Sequence, residues 1–164
     1  LSNIECNYKA GIEINPIAKK YCNDNLEIDC YSSISEVEDE KFDVIISHHA
    51  LEHCENPFDI IKELKAKLKV GGKLVIVVPL DSFKYKFKKD DVNKHLYSFS
   101  PMNIGNILLM NEFTNIQTFN LLHKWPPLWF RIQKYLGWTI FHLICYFYGH
   151  LNLYWSQTKA IGYK

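Results

Sequence analysis

The sequence predicts an α/β fold built on a largely parallel sheet, and three observations carry that prediction. Residues 42–57 (FDVIISHHALEHCENP) pass from a short apolar run, Phe42, Val44, Ile45 and Ile46, straight into Ser47, His48 and His49. A strand covered on both faces of a parallel sheet reads this way. Residues 68–79 (LKVGGKLVIVVP) then supply a Gly-Gly turn and a second buried strand, and the segment 56–68 between them is helical in pattern. Strand, helix, turn, strand is one parallel unit with the crossover length such a pair needs. Ligands bind outside the carboxyl ends of strands in open α/β sheets, so the polar cluster after Ile46 is where chemistry is expected.

Taken in order, residues 1–8 read as the tail of a preceding element, and 8–14 (YKAGIEI) as a strand. Asn15-Pro16 is a turn that starts a helix over 17–23. Glu13 stands at the tip of that strand, where a carboxylate can accept both hydroxyls of a ribose; a surface glutamate at a strand end is the plain alternative. Residues 26–31 (LEIDCY) alternate like an edge strand, and the acidic stretch 36–40 is a solvated loop. In the helix after Pro57, Phe58, Ile60, Ile61, Leu64 and Leu68 make an apolar face and Lys62, Glu63, Lys65 and Lys67 a wet one. Gly71-Gly72 allows the tight turn back into the sheet.

Beyond Pro79 the pattern breaks. Lys84, Lys86, Lys88 and Lys89 interleave with Tyr85 and Phe87, a run too short to mark a nucleic-acid groove in a near-neutral chain. Pro101 opens a helix over 102–111, and strands are expected at 115–122 and 158–163. Between them, 124–155 is an aromatic-rich insertion containing Trp125, Trp129, Phe130, Tyr135, Trp138, Phe141, Tyr146, Phe147 and Tyr148. Its weakly polar run, 136–148, is shorter than the roughly 20 apolar residues of a membrane span. It reads as a lid helix over an apolar pocket, or as an interfacial helix giving peripheral membrane contact through 128–153.

At 164 residues and 48% hydrophobic content the chain suffices for one domain with a real core, which excludes a disordered segment. Lysine plus arginine (19) nearly balance aspartate plus glutamate (18), so the charge pattern predicts a small-molecule partner and no nucleic acid. Five cysteines without a C-x-x-C pair fit a reducing cytoplasm better than a disulfide framework. His49 and His53, at i and i+4, would share a helix face, a spacing that can hold zinc. The metalloprotease pattern, however, needs glutamate directly after the first histidine, whereas Glu52 precedes the second, so no metal is expected. Glu52-His53 is read instead as orienting substrate, capping the site, or purely structural. His95 is read as a general base, a substrate hydrogen-bonder, or a structural residue.

FDVIIS, HALEH, the NP turn and LKVGGKLVIVVP, in that order, resemble the second half of the class I S-adenosylmethionine (SAM)-dependent methyltransferases of the small-molecule type. The resemblance implies a Rossmann-like sheet of strand order 3-2-1-4-5-7-6 with helices on both faces. It also implies that SAM is the cofactor and that a small acceptor is methylated, an apolar or bulky one if 124–155 is its lid. Glu13, with Ile14 beside it, then holds the ribose, Tyr31, Ser32 or Ser33 lies near the adenine, and the Ser47-His48 loop lies against the methionine part. His49, His53 and His95 are the residues expected to act as base or to orient the acceptor. The glycine-rich loop after the first strand of that family has no counterpart here. The expectation is therefore a single domain over 1–164 lacking its central first strand, a C-terminal portion that holds SAM poorly by itself. Two alternatives remain: a non-catalytic module, or inactive fragment, of the same fold, and a nicotinamide-dependent Rossmann enzyme. The latter would not be expected to carry LEH, NP and LKVGGKLVIVVP together.

Overall fold

The computed structural model describes residues 4–26, 28–82, 84–151 and 156–164. Six strands and four α-helices follow one another as β1 (Ala10–Ile12), α1 (Pro16–Asn25), β2 (Asp29–Tyr31), β3 (Phe42–His48), α2 (Pro57–Lys67), β4 (Leu68–Leu80), α3 (Pro101–Met110), β5 (Thr114–Leu121), α4 (Trp129–Leu151) and β6 (Ser156–Tyr163). Three helices start by one local device. Asn15, Asn56 and Ser100 each accept a backbone N–H from the first turn, and proline follows each of them. The side-chain oxygen satisfies an orphan donor, while proline supplies a helical φ and has no N–H to lose.

β1 and β2 pair in parallel, and β3, β4, β6 and β5 form a second sheet in that order, parallel between β3 and β4 and antiparallel across β6. These orders match the 3-2 and 4-5-7-6 parts of the expected sheet. Among the described residues no strand pairs with both β1 and β3. The starts of the two sheets nevertheless meet: the Tyr8 and Phe42 rings stack at 5.9 Å, with the Lys41 ammonium 4.8 Å above Tyr8.

One core forms where α2 and α3 pack on the four-stranded sheet. Leu74, Ile76 and Val78 of β4 meet Ile61 and Leu68, Ile104 and Leu108, and Phe99, Phe113 and Ala160. Alternate β4 residues share a face, which is why 74, 76 and 78 enter the core together.

Three expectations need correction. β3 is not buried on both faces: Val44 is 44% and Ile46 51% exposed, since nothing described covers the face opposite Ile45, and β4 is the buried strand. Gly71-Gly72 is not a turn ahead of the strand but lies inside β4, at the irregularity where its register against β3 shifts from Phe42↔Leu68 to Val44↔Lys73. Gly71 has φ of 78°, and a Cβ on Gly72 would come within 2.9 Å of the Lys69 carbonyl, so both glycines are required there. The strand expected over 8–14 shortens to Ala10–Ile12.

The aromatic segment contains α4, kinked at Gly137 (φ 73°). Phe141 and Cys145 are buried, with Phe141 ringed by Trp125, Trp129 and Trp138. Most of its remaining aromatics, Trp138, Tyr146 and Phe147 among them, are exposed, and Tyr148 is half-buried. No helix of the described residues is long and apolar enough to cross a membrane. Residues 1–3 of the expected preceding element and 152–155 of the aromatic segment lie outside the described residues.

Candidate functional site

The site grows from the carboxyl end of β3. Ser47 is buried, His48 closes the strand opposite Val77, and the His49 N–H donates to the Val77 carbonyl at 2.9 Å, one residue past the strand. His49 then turns the chain with a φ of 50°, a left-handed conformation that costs a non-glycine residue about 1–2 kcal/mol. A single 3-10 turn, Leu51–His53, follows, pinned by fully buried Leu51. The expected shared helix face for His49 and His53 is therefore not formed, and the two rings serve different neighbours.

The His49 ring bridges two strands. Its Nδ1 lies 3.0 Å from Glu52 Oε1, and its Nε2 lies 2.9 Å from the Gln157 side-chain amide on β6. The amide nitrogen can only donate, so Nε2 accepts and the imidazole proton sits on Nδ1, directed at Glu52. Glu52 is fully buried, and its second oxygen has no hydrogen-bond partner. The His48 and His49 rings meet edge-on at 4.7 Å; desolvation, then the His49 ring, lower the pKa of His48, with Glu52 acting the other way.

His53 faces the loop after β4 instead. Its ring lies 5.2 Å from that of His95, edge to face. The Leu96 N–H donates to the Glu52 carbonyl at 2.8 Å and the Tyr97 hydroxyl to the Glu55 carbonyl at 2.8 Å, which fasten residues 95–97 to the turn after β3. Phe99 continues this seam, its N–H on the Pro79 carbonyl at 3.0 Å and its carbonyl accepting from buried Thr158. Asp81 Oδ1 lies 4.0 Å from His95 Nδ1. Beside them opens a cavity of about 450 Å³ whose wall includes Asp81, Tyr85, Lys86, Lys94 and His95.

The end of β3, the turn after it and the loop after β4 thus bring His48, His49, His53 and His95 together with Glu52, and Ser47 is buried next to them on β3. Glu13, Ile14 and Ser32 lie just past the ends of β1 and β2 and do not join them. Glu13 is half-buried and accepts the Asn15 N–H at 2.8 Å, Ile14 is 84% exposed, and Ser32 accepts from the Lys19 ammonium at 2.8 Å. Gln157 and Asp81 were absent from the sequence reading. Gln157 has no local signal, whereas Asp81, two residues past a buried strand's proline, stood at another strand end and could have been found.

Residues 5–76 match the family described as a methyltransferase domain. No curated protein matches the sequence. Among solved structures, a SAM-dependent methyltransferase from Archaeoglobus fulgidus superposes with a TM-score of 0.64 at 17% identity, over 94% of this chain and 75% of that one. This chain has the fold of the class I methyltransferases. The YcgJ protein of Bacillus subtilis is similar at 12% identity, with a TM-score of 0.60 over 96% of this chain and 82% of that one. A phosphoethanolamine N-methyltransferase 2 from Haemonchus contortus, in complex with phosphomonomethylethanolamine and S-adenosylhomocysteine, is similar at 14% identity and a TM-score of 0.63. The alignment covers 94% of this chain and 43% of the Haemonchus one. The matched region, 5–76, contains both Glu13 and the turn after β3.

Proposed function

We propose that this chain carries the acceptor side, and part of the cofactor side, of a SAM-dependent methyltransferase acting on a small molecule. The observation that carries the reading is the convergence of His49, His53 and His95 beside Ser47 and His48, at the carboxyl end of β3. The residues fit SAM at its ribose end: the half-buried Glu13 carboxylate stands at the end of β1 with one oxygen held by Asn15 and can accept ribose hydroxyls. Ile14 and Ser32 flank it, and buried Ser47 with His48 would border the methionine part.

SAM supplies an already activated methyl group. The protein's share is then to position an acceptor in line and, where the acceptor must lose a proton, to take it. His95 and His53 border the open side of the site and are suited to that task, while His49 is committed to Glu52 and Gln157 and holds the turn. The aromatic residues of α4 favour an acceptor with a bulky apolar part. The fold alone does not decide the chemistry, and a non-catalytic module of the same fold is the second reading.

Titration calorimetry of SAM into the chain, wild type and Glu13→Ala, tests the reading. Loss of a buried charge contact of about 1–3 kcal/mol corresponds to SAM binding roughly 5- to 150-fold weaker in the variant. An unchanged dissociation constant removes Glu13 from the site. Transfer of labelled methyl from SAM to a panel of small phenols and amines, lost in His95→Ala, separates the enzyme from the module.

A further inference from the structure

We propose that Glu52, His53 and His95 form a binding site for one divalent transition-metal cation. Each offers one ligand atom, a carboxylate oxygen or an imidazole nitrogen, and these atoms lie within 4.8 Å of one another. The independent observation is at Glu52: the side chain is wholly buried, Oε1 is held by His49, and Oε2 has no partner among the described residues. A buried carboxylate oxygen without a donor asks for a cation, as a group that burial has stripped of water.

The surroundings are those a metal site needs. The His49 N–H fixes the carboxylate from behind, and the Leu96 N–H to the Glu52 carbonyl ties the segment bearing His95 to the turn bearing Glu52 and His53. Asp81, whose Oδ1 is buried and has no hydrogen-bond partner, stands 4.0 Å from His95 Nδ1. At 4.0 Å it makes no hydrogen bond to the ring; brought within about 3 Å on closure it would orient the ligating imidazole. Ligand bonds of about 2.0–2.2 Å bring donors to roughly 3–3.5 Å apart, so closure needs a movement of about 1 Å, which the exposed His53 ring can make.

Two imidazoles and one carboxylate suit zinc, iron(II) or cobalt(II) better than magnesium or calcium. Three protein ligands also leave a coordination position open, as in sites where a cation meets a substrate oxygen. Cation binding does not depend on the methyltransferase reading; only its use in holding an acceptor hydroxyl would, and with the cation bound His53 and His95 would act as its ligands in place of the base role proposed for them, since a ligating imidazole has no free lone pair.

The test is cobalt(II) titrated into the metal-stripped chain without SAM, followed by absorption, with zinc(II) calorimetry alongside. One cation per chain is expected, with visible d–d bands and no thiolate charge-transfer band. His53→Ala and His95→Ala should each weaken binding by at least about 10-fold. His142→Ala, in the separate His123–His142 pair whose nitrogens lie 3.0 Å apart, should leave it unchanged. Glu52→Gln keeps the shape and should also abolish tight binding; should it fail to fold, the exposed His53 gives the same readout. No binding at millimolar metal, a thiolate band, or loss in His142→Ala but not in His53→Ala and His95→Ala overturns the proposal.

Discussion

Replacing His49 probes the turn that builds the site. In His49→Ala the positive φ at 49 is retained, and Glu52 loses its one side-chain donor among the described residues, 3.0 Å away. The lost hydrogen bond contributes about 1 kcal/mol, and leaving a buried oxygen unsatisfied adds about 1–3 kcal/mol. The His49 side chain is 32% exposed while that of Glu52 is fully buried, so water screens one side of the contact and the lower half of the range applies. His49→Ala should therefore destabilise the chain by about 2 kcal/mol. His49→Gly loses the same bond but relieves about 1–2 kcal/mol of left-handed strain, offset by about 0.5–1 kcal/mol of extra glycine entropy in the unfolded chain. It should come out roughly 0.5–1 kcal/mol more stable than His49→Ala. Urea unfolding followed by tryptophan fluorescence, with chelator present to keep metal out, measures both. If His49→Ala unfolds at the wild-type midpoint, or His49→Gly is the weaker of the two, the account of this turn is wrong.

Acidification and the glycines of β4 give two further outcomes. Desolvation followed by a neighbouring imidazole lowers both His48 and His123, so below the ordinary histidine value of about 6.5 the unfolded chain binds more protons than the folded one. Their contribution is intact above that pH and is lost as pH falls from it toward the lowered values; the urea midpoint should drop on acidification, and less steeply in a His48→Asn, His123→Asn double variant than in wild type. An identical pH slope in the two proteins would exclude these histidines as the cause. At the β3–β4 irregularity, Gly72→Ala would force a Cβ to within 2.9 Å of the Lys69 and 3.1 Å of the Phe42 carbonyl oxygens, an overpacking of rigid backbone that should cost about 1–3 kcal/mol. Gly71→Ala meets no atom within 4 Å, so its loss should be about 1–2 kcal/mol from φ alone. Calorimetric melting of both variants checks this, and a Gly72→Ala protein as stable as wild type would show that the carbonyls yield.

The sequence by itself determined the elements, because each has a local cause. Apolar runs of strand length, a helical apolar face and Asn-Pro, Asn-Pro and Ser-Pro starts act within a few residues, and the corresponding strands and helices form close to where they were expected. The parallel pairing of β3 with β4 was legible for the same reason, since a strand-helix-strand unit has one favoured connection. The polar cluster at Ser47, His48 and His49 was legible too, as an abrupt end to an apolar run.

Only the tertiary structure decided what those side chains do. His49 and His53 look like one pair by spacing, but a positive φ at His49 and a 3-10 turn send them to different partners, Gln157 on β6 and His95 in the loop after β4. The partner of His49 is 108 residues away, and no periodicity encodes such a contact. Likewise Val44 and Ile46 have the composition of a buried strand, yet burial depends on what covers the sheet and not on the strand's own residues. Glu52 makes the same point from the opposite side: its place before His53 does not tell that it is buried, and only the folded chain leaves it fully buried with Oε1 on His49 and Oε2 without a partner among the described residues.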